Sequence, residues 1–214
     1  SCRFLFSGTA DDIPNKVHKV KCTGLSGPVI ARITNSDLIE EGVSQRPNVK
    51  IYLNYTDYTY ESSFQIAYKK HIMKGSDRLR IIRKYIQDNP DKQILISVDK
   101  ISHGDFLNSG LPGTFFIHGN HPNRKELFDD FVKGKFKVLI TTSILKEGVN
   151  IPGINALIFC GGGKSVITLK QFVGRALRHD QVNDEVDIVY FFDNVKFLNH
   201  HSRERIKIYR REGF

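Results

Sequence analysis

Gln171-Phe172-Val173-Gly174-Arg175-Ala176-Leu177-Arg178 is the stretch on which the reading of this chain turns. Thr168 stands ahead of it and can cap a helix. On that helix Gln171, Arg175 and Arg178 fall at i, i+4 and i+7, so they share one polar face, while Phe172, Val173, Ala176 and Leu177 turn toward a core. Two guanidiniums side by side repel each other unless an anion lies between or opposite them, and a phosphate chain is the natural candidate. The same spacing also suits a solvated basic surface, and these residues alone leave both readings open.

Outward from this helix, short apolar runs recur: Val49 to Asn54, Gln93 to Val98, Thr114 to His118, Lys137 to Ile140, Ala156 to Cys160 and Val186 to Phe192. They are β-branched or aromatic and nearly continuous, as strands covered on both faces of a parallel sheet are. Between them lie helical patterns. Ser62 to Gln87 repeats Ile66, Ile72, Leu79, Ile82 and Ile86, with Gly75 splitting it in two and Asn89-Pro90 ending it. Pro122 to Val132 predicts another helix, closed by Gly134. Residues 1 to about 47 read differently: a short strand at Arg3 to Phe6, a loop rich in Asp, Pro and Gly, and a helix over Ser36 to Glu41. The β/α order predicts an α/β domain with a central, mainly parallel sheet flanked by helices.

Composition adds a partner class. The chain has 214 residues, 40% of them hydrophobic, enough for a proper core. Its 32 Lys and Arg against 23 Asp and Glu give a formal net charge of +9. That balance favours a polyanionic partner over a merely solvated basic surface. Cys2, Cys22 and Cys160 form no C-x-x-C pair, and reduced thiols of a cytosol suit them. No apolar run approaches the roughly 18 residues that cross a bilayer, and no signal-peptide order opens the chain. The expectation is a cytoplasmic protein with no membrane partner.

With these residues in place, a family resemblance becomes specific. Gln171-x-x-Gly174-Arg175-x-x-Arg178 resembles motif VI of superfamily 2 helicases. Thr141-Thr142-Ser143 through Gly148-Val149-Asn150-Ile151-Pro152 resembles motif V, Gln93 to Val98 resembles motif IV, and Phe116-Ile117-His118-Gly119 is similar to the strand and turn that commonly follow it. Phe6-Ser7-Gly8-Thr9-Ala10 resembles motif III, with Gly8 where the family usually carries Ala. The four motifs stand in order. Gly161 to Ser165 and the run His201-Ser202-Arg203 with Tyr209-Arg210-Arg211 look like the phage and bacterial UvsW-like relatives of the DEAD/DEAH type.

The resemblance implies a RecA-like domain, the C-terminal half of an ATP-dependent helicase or translocase acting on DNA or RNA, with DNA favoured, in a bacterial or phage-infected cell. Residues 1–47 would be the end of a first RecA-like domain and the linker, and 48–214 the second. ATP would lie between the two, with magnesium held by the first domain, whose Walker loop and acidic quartet are not found here; this fragment alone is expected not to hydrolyse ATP. Arg178 would be the arginine finger, Arg175 its neighbour at the γ-phosphate, and Gln171 would position the nucleotide or the attacking water, or hold the arginine fork. Gly148 would let the backbone approach the nucleotide, and Asn150, where the family usually carries Asp, would meet the ribose. Thr142 and Ser143, with Ser97, Gly119 and Asn120, would hold the nucleic-acid backbone. Ser7 and Thr9 would couple nucleotide state to strand movement.

Other signals fall away or stay open. Gly161 to Ser165 lacks the Walker spacing, since Ile158 stands where a glycine is needed, and a flexible loop is expected there, with Lys164 near nucleic acid. His200 and His201 are adjacent, without metal-ligand spacing, and read as helix surface; no metal site is expected. Arg203, Arg205, Lys207, Arg210 and Arg211 suit either nucleic acid or solvent. A nucleic-acid-binding module without catalysis remains the rival from another class, and a P-loop kinase or transferase the remoter one.

Overall fold

The computed structural model describes residues 15–31, 33–54, 57–142, 153–162 and 185–211. Six strands form one sheet: β1 Arg46–Leu53, β2 Ile94–Ser97, β3 Thr114–Ile117, β4 Val138–Thr141, β5 Ala156–Phe159 and β6 Glu185–Phe192. Their order across the sheet is β1-β6-β5-β2-β4-β3, and every pairing is parallel. All six strands predicted from the apolar runs are present, within a few residues at each end. The four inner residues of β2, β4 and β5 are all buried. Continuous burial is why these strands read as unbroken apolar runs and not as alternating ones.

The helices are α1 Lys16–Ser26, α2 Asn35–Glu40, α3 Phe64–Ala67 continuing into a π-helical turn at Tyr68–Met73, α4 Ser76–Asp88, α5 Ile101–Gly110, α6 Arg124–Val132 and α7 Leu198–Arg211. They cover both faces of the sheet. On one face Ile82 and Tyr85 of α4 and Leu107 of α5 pack on Ile94, Ile96, Ile140, Ile158 and Phe191. On the other, Phe131 of α6 with Ile208 and Tyr209 of α7 packs on Leu95, Leu139, Leu157, Ile188 and Tyr190. The strand residues alternate between the two clusters with period two, as the pleat requires.

Gly75 caps α4 where the sequence placed a break. A Cβ there would stand 2.4 Å from the His71 carbonyl oxygen, so only glycine lets the π-turn run directly into the next helix. Asn89 ends α4 as expected. Over residues 16–26, where the sequence reading placed a loop, the chain forms α1: the Asn15 side chain accepts from the N–H groups of Val17 and His18 and caps it. The helix expected at Ser36 to Glu41 lies one residue earlier, closed by a reciprocal Thr34–Asp37 capping box. The strand expected at Arg3 to Phe6 lies outside the described residues. Among the described residues no helix is long and apolar enough to cross a membrane.

His103 on α5 is fully buried, and neither ring nitrogen has a hydrogen-bond partner among the described residues. Burial, with the charge of Arg78 adding to it, pushes its pKa down from 6.5 to about 3. The fold therefore holds the neutral ring. Its stabilising contribution is complete above pH 6.5 and is lost as pH falls toward the folded-state value. From pH 6.5 to 5 the loss is about 2 kcal/mol at about 1.4 kcal/mol per unit. Urea unfolding of the wild type and His103→Leu across this range is expected to show that slope only in the wild type. Parallel curves would mean that His103 charges without cost.

Candidate nucleotide and nucleic-acid site

In an open parallel α/β sheet, ligands meet the carboxyl ends of the strands. Here that edge is set by register. Ser97 ends β2 opposite Thr141 of β4 on one side and Phe159 of β5 on the other, and Thr141 in turn stands opposite Ile117 of β3. The chain then leaves the sheet through Thr142, through the turn His118-Gly119-Asn120-His121 and through Cys160-Gly161-Gly162. The turn is closed by the His121 N–H donating to the His118 carbonyl at 3.0 Å.

Four of the twelve site residues expected from the sequence are thus brought to one edge. Gly119 and Asn120 are exposed and Thr142 is half-buried. Ser97 is 2% exposed, and its hydroxyl lies within the edge and not on it. The Thr141 hydroxyl beside it is buried with no hydrogen-bond partner among the described residues. Ser7, Thr9, Ser143, Gly148, Asn150, Gln171, Arg175 and Arg178 lie outside the described residues, as do Gly163 to Ser165.

A group that sequence reasoning missed holds the exit of β5. Arg78, 1% exposed on α4, donates to the Cys160 carbonyl at 3.1 Å and to Asp193 Oδ1 at 2.6 Å, and its guanidinium lies 4.4 Å from the Phe191 ring centre. Arg205, 2% exposed on α7, donates to the next carbonyl, Gly161, at 2.7 Å and lies 4.6 Å from the Tyr190 ring centre. The Gly162 N–H donates to Asp99 Oδ2 at 3.1 Å, and that oxygen also accepts the Tyr68 hydroxyl at 3.0 Å. His201 Nδ1 lies 3.1 Å from the Gly162 carbonyl. Four side chains from two helices and one loop therefore fix three consecutive peptide units.

This corrects three expectations. Arg205 is neither solvated nor free for nucleic acid. His201 is half-buried, with its ring 5.4 Å from that of Phe64, and is not simple helix surface. Gly161 and Gly162 are buried and held and do not belong to a flexible loop. A Cβ on Gly162 would stand 2.3 Å from Ile72 and 2.6 Å from Tyr68, so these glycines serve close packing and not a phosphate cradle. The one available signal was positional: Arg78 shares the buried stripe of Ile82 and Tyr85, and Arg205 that of Leu198, Ser202 and Tyr209. Cys160, between the two clamps, has its thiol pushed up to about 12, chiefly by burial, and is a packing residue, not a nucleophile. Among the described residues no cluster of three or more His, Cys, Asp or Glu could hold a metal ion.

Comparison with known proteins places this edge in a family. Residues 77–180 match the helicase conserved C-terminal domain. The chain is 24% identical over 193 residues to the pre-mRNA-processing ATP-dependent RNA helicase PRP5 of Vanderwaltozyma polyspora, covering 86% of this chain and 21% of that protein. It spans about a quarter to a third of the length of other curated relatives it matches. Among solved structures, the fold matches the ATP-dependent Type ISP restriction-modification enzyme LlaBIII bound to DNA with a TM-score of 0.60, at 15% identity, over 88% of this chain and 15% of that one. It matches T4 UvsW with a TM-score of 0.57, at 14% identity, over 79% of this chain and 40% of that one. Residues 77–180 thus belong to the helicase conserved C-terminal domain, and the parallel sheet they help to build is the RecA-like fold of the C-terminal domain of superfamily 2 helicases.

Proposed function

We propose that this domain is the second half of an ATP-driven motor on nucleic acid, supplying Arg178 as the arginine finger and a backbone-gripping edge made of Thr142, Ser143, Gly119 and Asn120. The observation that carries the reading is the extent of the family match, which takes in both the motif V stretch and Gln171 to Arg178. The register that brings Thr142, Gly119 and Asn120 to one carboxyl edge supports it. In this reading Arg175 and Gln171 attend the γ-phosphate, and Gly148 and Asn150 meet the nucleotide. A first RecA-like domain with Ser7 and Thr9 at its end holds ATP and magnesium. DNA is favoured over RNA.

Contacts from hydroxyls and amides to phosphates grip without reading sequence. Binding of labelled single strands by this chain is therefore expected to show little sequence preference. The excess of Lys and Arg, a formal net charge of +9, should in addition make binding weaken with salt at a log-log slope of about −2 or steeper, as three or more phosphates neutralised by cationic side chains give. Thr142→Ala should lower affinity by about threefold to tenfold, the worth of one backbone contact. A constant affinity between low and moderate salt would overturn the nucleic-acid reading. Tighter binding of RNA than of matched DNA would reverse the DNA preference while leaving the motor in place.

A further inference from the structure

The same carboxyl edge continues past β5 to the exits of β6 and β1, where no motif points. There Thr59 and Val195 form an isolated parallel bridge, with the Thr59 N–H donating to Asn194 at 3.0 Å and the Lys196 N–H donating to Thr59 at 2.8 Å. The bridge sets Lys196 between two rings. Its ammonium lies 3.8 Å from the Tyr60 ring centre and 5.1 Å from that of Phe197, and donates to the Tyr60 hydroxyl at 2.6 Å. Tyr60 is 69% exposed, Tyr58 59% and Phe197 37%.

Phe197 has φ +71°, the one non-glycine residue in the left-handed region among those described. A bulky side chain there is disfavoured, and glycine or asparagine would suit the backbone better. Immediately after it α7 begins, with no acidic residue in its first turn. The neighbouring acid, Glu61, is 8% exposed and is taken up by Lys70 at 2.8 Å and His71 at 2.7 Å. Exposed rings with a cation between them make a surface for an anion that carries flat apolar faces.

We propose that Tyr60, Lys196 and Phe197 form a stacking platform for unpaired bases of a single-stranded nucleic acid, extending the strand path beyond the family motifs. The platform rests on the nucleic-acid reading above. Stacking on protein rings is sequence-tolerant and demands bases not already stacked in a duplex. The strained Phe197 backbone keeps a ring where packing alone would choose a smaller residue.

The test is anisotropy of a short fluorescein-labelled oligothymidylate and of a matched duplex with this 214-residue chain, together with quenching of an aminopurine-containing single strand. Tyr60→Ala and Phe197→Asn are each expected to weaken single-strand binding by about fivefold to a hundredfold. They should also abolish the quench and leave duplex affinity unchanged. Phe197→Asn suits the left-handed backbone and keeps the fold, and Tyr60→Phe should restore binding. Lys196→Gln should flatten the salt slope by about 0.7, one phosphate's worth. Unchanged single-strand binding in both ring variants, while Thr142→Ala weakens it, would overturn the platform and leave the proposed function standing. Equal losses on single strand and duplex would overturn stacking. Failure of the wild type to bind either would overturn both.

Discussion

Arg178→Ala, in a chain carrying both RecA-like halves, is expected to lower nucleic-acid-stimulated ATP hydrolysis by about 10³-fold to 10⁵-fold. The size follows from timing. Charge accumulates on the transferring phosphoryl group only near the transition state, and a preorganised guanidinium there needs no solvent rearrangement to meet it. An interaction of that kind lowers kcat and kcat/KM together and leaves KM for ATP close to its wild-type value. Arg175, set at the γ-phosphate in the proposed reading, is expected to add to ground-state binding too, so Arg175→Ala should raise KM in addition. The 214-residue chain alone serves as the control and is expected to be silent. Equal turnover in Arg178→Ala and wild type would remove Arg178 as the finger. Turnover by the control would mean that a complete ATP site lies within this chain.

The sheet was legible in the sequence because its strands are buried on both faces, so that Ile94 to Ser97 or Ala156 to Phe159 reads as an unbroken apolar run. Two helices were less so. α1 exposes Val17, Val20 and Leu25 and shows no apolar face, and its defining feature is a single cap at Asn15. α5 contains Gly104 and ends on Gly110, both poor helix formers. The reason lies in another element: a Cβ on Gly104 would stand 2.2 Å from the Phe116 ring. The site divides similarly. Thr142, Gly119 and Asn120 were singled out by the motif resemblance, and the register sets them just beyond the carboxyl ends of β4 and β3. Arg78 and Arg205 could not, because an arginine on an amphipathic helix ordinarily marks the solvent face, and the ring planes and carbonyls that receive these two come from residues far along the chain. Tyr60 and Lys196, 136 residues apart, are brought into contact beside the Thr59–Val195 bridge, which no local pattern encodes.

The hidden arginines carry the second large effect. Arg78→Met is expected to destabilise the domain by about 3–5 kcal/mol, the usual cost of leaving one partner of a buried ion pair uncompensated. Asp193 is fully buried and shares Oδ1 between Arg78 and the Asn54 side chain at 3.0 Å, while its backbone N–H donates to Ser202. Removing the guanidinium strands that carboxylate and also frees the Cys160 carbonyl at the exit of β5. Methionine replaces the aliphatic stem, so the loss reports charge and hydrogen bonds more than volume. Urea unfolding should show a lower midpoint with an unchanged slope. Arg78→Met combined with Asp193→Leu should recover at least half of the loss, because the stranded charge is gone as well. A double variant no more stable than Arg78→Met alone would place the energy in the Cys160 carbonyl bond and the Phe191 contact instead of the ion pair. That outcome would make the arginine a backbone strut whose counterion is incidental.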